Sequence, residues 1–399
     1  MRADAAATAG WADARGVGAR SDARRPVRST AWRERFARLL AGADVQLDGA
    51  RPWDPRIHDE RVFRRIAARG SLGVGESYVE GGWDCDRVDE LTNRVLRAHA
   101  DERLLHSPAD WLRVARAWSW NLQSVARAGL VARRHYDLGN DLFRAMLDAR
   151  AIYSCGYWRD AATLDQAQEA KLDLVARKLE LLPGMRVLDI GCGWGGAARF
   201  LAERYGVEVV GVTVSREQAR FAADYCRGFP VSIELRDYRS IEGTYHRAFS
   251  LGMFEHVGWR NYRKYLRAVW DHLERDGLFL LHTIGALTSS HSSDAWVSRY
   301  IFPNYHLPSV AQIAAACEEL FVVEDWHNFG ADYDATLLAW HANFERAWPQ
   351  LAARYGERFH RMWRYYLLTS AGGFRARRNQ LWQIVLSPRG VHGGYRSAR

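Results

Sequence analysis

The chain has 399 residues, enough for two domains, and its 48% hydrophobic content supports sizeable cores. Lys and Arg number 56 against 47 Asp and Glu, and the resulting +9 points to an anionic partner, either nucleic acid or phospholipid headgroups. Five scattered cysteines exclude a disulfide framework and fit a reducing cytoplasm; no HExxH or Cys/His cluster offers a metal site, and no apolar run nears the roughly 18 residues of a membrane span.

Residues 1–30, rich in Ala, Arg and Gly without an apolar stretch, read as a disordered tail and not as a secretory signal. From about Ala31 the pattern turns helical, with Trp32, Phe36, Leu39 and Leu40 at helical spacing. Further helices are expected over 61–69, 88–98 and 111–133, with 70–78 a turn leading into a new segment. Residues 31–134 are thus expected to form a small, mainly helical N-terminal domain. Between Asp110 and Asp137 there is no acid, and Arg113, Arg116, Arg127, Arg133 and Arg134 mix with Trp111, Trp118 and Trp120, a composition suited to a membrane interface. A second basic run follows Glu357, with nine arginines and no acid to Arg399.

Residues 135–399 read as a second domain. Two segments dense in polar and aromatic side chains, 135–143 (HYDLGNDLF) and 151–158 (AIYSCGYW), suit closing over a ligand. Val187, Leu188 and Ile190 then form a short apolar run fit for a buried strand. Gly191, Gly193, Gly195 and Gly196 follow, and 197–205 has the composition of a helix. Strand, glycine turn and helix open a doubly wound, Rossmann-like α/β fold. Later strands are expected over 207–212, 231–235, 246–251, 278–283, 321–325 and 381–386. Ligands in such sheets bind beyond the carboxyl ends of the strands, which singles out Asp189, Thr213, Asp237, Glu255 and His282.

Gly191, Gly193 and Gly196 satisfy G-x-G-x-x-G, but a dinucleotide site expects an acidic residue about 20 positions on, at the end of the second strand. That strand ends in Thr213-Val214-Ser215. Asp189, just ahead of the glycines, is typical instead of S-adenosylmethionine (SAM) methyltransferases. A ligand-free tight turn is the bland alternative, and four glycines in six residues argue against it.

Methyl transfer from a sulfonium depends mostly on positioning. Ionisable residues near the pocket therefore carry information about the acceptor, and the chain offers Cys155, Glu255, His282 and Tyr333. The segments YDLGNDLF, YSCGYW, VLDIGCGWGG, GVTVS, YIFPNYHLPS, EDWHNFGADYDATLLAW and QLWQIV resemble the cyclopropane-fatty-acyl-phospholipid synthases of the bacterial two-domain kind, from about Arg61 onward. The resemblance implies a class I SAM-dependent methyltransferase domain behind a helical lipid-docking domain. It also implies methyl transfer to a cis double bond of a phospholipid acyl chain, then loss of a proton to close a cyclopropane ring. The carbocation between those steps needs a dry site and gains from aromatic faces.

By the same resemblance the base is a bound bicarbonate caged by Cys155, Glu255, His282 and Tyr333, with the backbone of Ile284 completing the cage. Glu255 would accept the bicarbonate O–H. Tyr153 and Ser154 fall to the methionine side of SAM, and Gly191 and Gly193 to the glycine loop. Thr213 and Gln218 fall to the ribose, with Arg236 and Asp237 beside the adenine. His256 is taken as structural. Ser370 stands where family members often carry a Cys, which speaks against a covalent enzyme nucleophile.

The resemblance further implies a homodimer, cytoplasmic and peripheral to the inner membrane. No base-reading motif accompanies the basic charge, so nucleic acid is set aside as partner. Two alternatives stay open at this stage. One is SAM-dependent methylation of a lipid chain or a small amine without ring closure, and the other is a non-catalytic lipid-binding protein.

Overall fold

The computed structural model describes residues 27–104 and 139–399. The helix expected over 111–133, its Trp and Arg residues, and the first four residues of the 135–143 segment lie outside the described residues, as does the expected tail up to residue 26. Helix α1 (Val27–Ala41) begins inside the span read as tail.

The N-terminal part continues with α2 (Arg61–Arg69), α3 (Ser71–Val79), α4 (Val88–Arg97) and α5 (Ala100–Leu104). A two-stranded antiparallel pair, β1 (Arg56–Ile57) and β2 (Trp83–Asp84), ties its loops together. Val62, Phe63 and Ile66 gather on one buried face of α2, the stripe that makes this arginine-rich segment a helix.

The segment expected to be a turn is α3, a correction to the sequence reading. Only its first joint is turn-like, Gly70 at φ 56°. Glycines at 73 and 75 are poor helix formers, but a Cβ on Gly73 would lie 2.3 Å from the Arg65 carbonyl oxygen. On Gly75 it would lie 2.2 Å from the Trp296 ring. Close packing against α2 and Trp296 selects these residues, and that contact overrides local propensity.

The chain continues with α6 (Asn140–Met146) and α7 (Leu164–Lys178), then alternates strand and helix. In order come β3 (Arg186–Ile190), α8 (Gly196–Tyr205), β4 (Glu208–Thr213), α9 (Arg216–Tyr225), β5 (Val231–Leu235), β6 (Tyr245–Leu251), α10 (Tyr262–His272) and β7 (Leu273–Ala286). Short helices α11 (Ala295–Tyr300) and α12 (Val310–Cys317), strand β8 (Val322–Asn328), the long α13 (Asp332–Arg375) and strand β9 (Asn379–Ser387) complete it. Gly356, at φ 74°, breaks α13 into two helical stretches.

The expected strands are all present, with β7 beginning at Leu273, ahead of the predicted 278. They form one sheet in the order β5-β4-β3-β6-β7-β9-β8. Strands β3 to β7 pair in parallel, and β9 runs antiparallel to both of its neighbours. The order reverses between β3 and β6, the switch point where a crevice opens beyond the strand ends. Helices cover both faces, so Val187 to Ile190 of central β3 are all buried.

The N-terminal helices share a core with α13 rather than standing apart. Tyr78 packs on Trp83 and Tyr365 with ring centroids 5.0 and 5.2 Å away, and Trp296 lies 4.7 Å from Tyr365. Four of the nine arginines in the C-terminal basic run are spent on this junction. Arg361 donates to the Tyr78 and Trp83 carbonyls and pairs with Asp84 at 2.7 Å. Arg364 bonds to the Tyr78 hydroxyl and the Asp86 carbonyl, Arg375 reaches Asp89 and Glu90, and Arg378 pairs with Asp101 and Glu102. Arg399 pairs with Asp325. Charge counting could not distinguish such internal ties from a lipid-facing patch.

Candidate active site

Strand β3 delivers Asp189 to the crevice, and the glycine turn follows at once. Gly191, Gly193 and Gly195 have φ of 87°, 55° and 83°, left-handed values that only glycine adopts without steric cost. The Gly191 and Cys192 amides bond back to the Val212 carbonyl at 2.9 and 3.1 Å, which anchors the turn on β4.

A cavity of about 170 Å³ opens beyond the strand ends. Tyr153, Ser154, Asp189, Gly191, Gly193, Thr213, Gln218, Arg236 and Asp237, the whole expected cofactor set, line it. Gln218 is buried, and its Oε1 accepts the Thr213 hydroxyl at 3.0 Å. Asp237 caps the turn after β5 by accepting the Arg239 amide at 2.9 Å. Burial pushes the Asp189 carboxyl above the ordinary range, against the charge of Lys171, and its Oδ2 has no hydrogen-bond partner.

Trp194, Arg239, Met253, His256 and Asn304 also line the cavity and were not anticipated. His256, taken as structural, contributes to the wall with its ring 5.4 Å from Phe302. Burial pulls its imidazole down to about 4, so it is neutral at physiological pH. Its position beside Glu255, just past the end of β6, was the available signal. Aromatic side chains crowd the Tyr153 wall: Phe143 at 5.3 Å, Trp340 at 5.0 Å and Phe302 at 6.5 Å between centroids. The Tyr153 and Tyr366 hydroxyls meet at 2.9 Å.

None of the five residues expected to do the chemistry lines this cavity. They lie behind its wall, in two connected groups. His282 and Ile284 share a face of β7, two residues apart, and the Gly252 amide of the cavity wall bonds to the His282 carbonyl at 2.9 Å. The Ile284 amide donates to Glu255 Oε1 at 2.7 Å. That N–H, expected to face a bound ion, holds the carboxylate instead.

Glu255 is buried, and burial raises its carboxyl to about 7. Its Oε2 has no hydrogen-bond partner, and neither does His282 Nε2. Burial drives the His282 imidazole well below its ordinary value, so the ring is neutral. Gln383 Nε2 approaches Nδ1 at 3.4 Å. With Nδ1 accepting, the ring proton lies on Nε2 and makes that atom a donor.

Cys155 and Tyr333 form the second group. The Cys155 thiol is fully buried, donates to the Gly156 carbonyl at 3.1 Å and lies 3.8 Å from the Thr336 hydroxyl, one helical turn beyond Tyr333. Burial raises its pKa well above the ordinary value, so it is no thiolate. The Tyr333 ring stacks on Phe374 at 4.4 Å and meets Trp340 edge-on at 6.0 Å. The Phe329 ring lies 5.8 Å from His282 and 5.2 Å from Tyr157, two residues beyond Cys155.

Comparison with known proteins identifies the group to which this architecture belongs. Residues 123–384 match the family described as mycolic acid cyclopropane synthetase. The cyclopropane-fatty-acyl-phospholipid synthase of Escherichia coli K12 is 52% identical over 368 residues, covering 92% of this chain and 96% of that one. The chain belongs to the cyclopropane synthetase family.

Family membership makes it an enzyme of the SAM-dependent methyltransferase class. The tuberculostearic acid methyltransferase UfaA1 of Mycobacterium tuberculosis is a more distant relative, 31% identical over 88% of this chain and 87% of its own. Among solved structures, the mycolic acid cyclopropane synthase CmaA1 complexed with SAH and CTAB is 32% identical with a TM-score of 0.61. It covers 65% of this chain and is itself covered over 97%. Among the described residues no helix is long and apolar enough to cross a membrane, and no group of three or more His, Cys, Asp or Glu is placed to hold a metal ion.

Proposed function

We propose that the chain transfers a methylene from SAM to the cis double bond of unsaturated phospholipid acyl chains, with loss of a proton closing a cyclopropane ring. Identity of 52% to the Escherichia coli synthase over nearly the whole of both chains carries this reading. The SAH in the CmaA1 structure, the demethylated form of SAM, supports the cavity as the cofactor's. There Asp189 and the glycine turn would hold the nucleoside end, Thr213 and Gln218 the ribose, Arg236 and Asp237 the adenine, and Tyr153 with Ser154 the methionine.

The residues behind the cavity fit a small polar anion such as bicarbonate. His282 Nε2 offers a buried donor and Glu255 Oε2 a buried acceptor, both without protein partners, so a group that is both acceptor and O–H donor satisfies the pair. Bicarbonate would supply the base for the proton released on ring closure. The Ile284 amide fixes Glu255, while Cys155 would close the site from the loop before α7 and Tyr333 from α13. Aromatic rings around Tyr153 exclude water and present their faces to developing positive charge. The buried, protonated Cys155 and Ser370 at the family's frequent Cys position agree with a reaction that uses no enzyme nucleophile.

The test is incubation with vesicles of cis-unsaturated phospholipid and SAM carrying a 13C methyl, followed by NMR of the recovered acyl chains. High-field 13C ring signals that fade on bicarbonate depletion are the expected result. Label in a branched, ring-free chain would favour the second reading, methylation without closure, which the name of the UfaA1 relative raises. No label in lipid despite SAM binding would move the acceptor to a small molecule or leave a lipid-binding protein.

Docking on anionic lipid through the N-terminal domain is part of the same proposal. With five of the nine C-terminal arginines tied to carboxylates and carbonyls, the basic and Trp-rich stretch between Asp110 and Asp137 is the leading candidate contact. Binding to anionic vesicles is expected to weaken as salt rises from about 0.05 to 0.5 M, because the Debye length shrinks several-fold. Co-sedimentation indifferent to both salt and lipid charge would remove this part.

A further inference from the structure

One buried charge is not used by the chemistry above. Lys171 lies on the inner stripe of α7, in line with Leu164, Gln168 and Val175, and its side chain is fully buried. Its Nζ donates to Ser154 Oγ at 3.0 Å. One turn earlier on the same helix, Gln168 Nε2 donates to the Ser154 carbonyl at 2.8 Å. Helix α7 therefore clamps Ser154, a cavity-lining residue, at both its hydroxyl and its backbone.

The hydrogen bond has a direction. An ammonium is donor only, so Ser154 Oγ must accept from it, and the serine proton is left to point elsewhere. Among the described residues no carboxylate forms an ion pair with Lys171 Nζ; Asp148 and Asp189 act on it only from farther away. A buried ammonium without a paired anion is costly. Here it lies one hydroxyl behind the wall of a ligand cavity.

We propose that Lys171 is a positioning residue that makes the methionine end of the cavity selective for a carboxylate. Its ammonium holds Ser154 Oγ as acceptor, turns the Ser154 proton into the cavity, and finds its counter-charge in the carboxylate of bound SAM. This rests on the reading of the cavity as SAM's, with Ser154 at the methionine end. Burial outweighs the more distant charges of Asp148 and Asp189 and holds the Lys171 ammonium below its ordinary range. A ligand anion restores the balance.

The test compares calorimetric binding of SAM and decarboxylated SAM, which differ in the carboxylate alone. The parent is expected to prefer SAM by about 10-fold or more, the range of a hydrogen bond to a charged group. Lys171→Met is expected to lose most of that preference by weakening SAM while leaving the decarboxylated compound nearly unchanged. Ser154→Ala, at the cavity wall and less liable to disturb folding, should do the same, with little further loss in the double variant. Equal weakening of both ligands in the two variants would make Lys171 a structural residue and overturn the inference. A parent that binds SAM without preferring it over the decarboxylated form would do so too, while leaving the cavity reading intact. A parent that binds neither ligand would overturn both.

Discussion

Glu255→Gln is expected to abolish ring formation while leaving SAM binding intact. Loss of a positioned acid or base group costs about 100- to 10,000-fold in rate, and the upper half of that range is expected here. The reason is local. Glu255 Oε1 takes the Ile284 amide, which Gln can still accept, but the unpartnered Oε2 becomes an NH2 that cannot take an O–H. Because Glu255 does not line the cofactor cavity, SAM affinity should stay within about 3-fold of the parent's, well under the roughly 10-fold step of a lost charged hydrogen bond. Ring product at a tenth of the parent rate or better would remove Glu255 from the chemistry.

The same variant has a second, independent signature in stability. The folded carboxyl titrates near 7 against an ordinary 4.5, raised by burial. The folded state therefore keeps a proton that the unfolded chain loses between those pH values, and stability falls as pH rises through that window. Above about pH 7 the buried charge lowers stability by an amount on the order of 3 kcal/mol. Glu255→Gln should accordingly unfold at higher urea than the parent at pH 8, with the gap closing near pH 4.5. A gap that did not depend on pH would mean that the carboxylate is not destabilised by burial.

Much of this site was legible because its signals are local. A parallel strand buried on both faces is mostly apolar, so Val187, Leu188 and Ile190 announced β3, and the cluster of glycines directly after it pointed to a turn with left-handed residues. Residues at strand ends followed from the doubly wound topology, which is how Asp189, Thr213 and Asp237 were placed at one crevice. What was missed depends on partners far away in the chain. The α3 glycines read as a turn until Arg65 and Trp296 are seen against them. The Ile284 amide turns to Glu255, 29 residues back, which no spacing rule anticipates. Lys171 was within reach of the sequence, since a lysine on the stripe of Leu164, Gln168 and Val175 must be buried with something to hold it.

The arginines of α13 carry the strongest expected effect on stability, and Arg375 carries most of it. Its guanidinium forks onto Asp334 through Nε at 2.8 Å and Nη2 at 3.0 Å, while Nη1 reaches Asp89 at 2.8 Å and Glu90 at 3.1 Å. Asp89 is 1% exposed. Burial pushes its carboxyl up, but the Arg87 hydrogen bond and the charge of Arg375 outweigh that and hold it below the ordinary value. Removing one partner of a buried pair leaves a charge uncompensated, so Arg375→Met is expected to destabilise the chain by about 3 kcal/mol at neutral pH. A carboxylate with a depressed folded pKa stabilises above its ordinary value and loses that contribution as pH falls through the folded one. The penalty should therefore shrink once pH drops below about 4, where Asp89 of the variant takes up a proton. Urea midpoints at pH 7 and pH 4 measure both. The double variant Asp89→Asn with Arg375→Met should recover much of the loss, since the orphaned charge goes with its partner. A single-variant loss below about 0.5 kcal/mol, the scale of an ordinary surface change, would mean that Arg87 alone satisfies Asp89. The same fork grips Asp334, the residue after Tyr333, so the contact that joins the N-terminal helices to α13 also fixes the helix end that carries Tyr333 and the Thr336 hydroxyl beside Cys155.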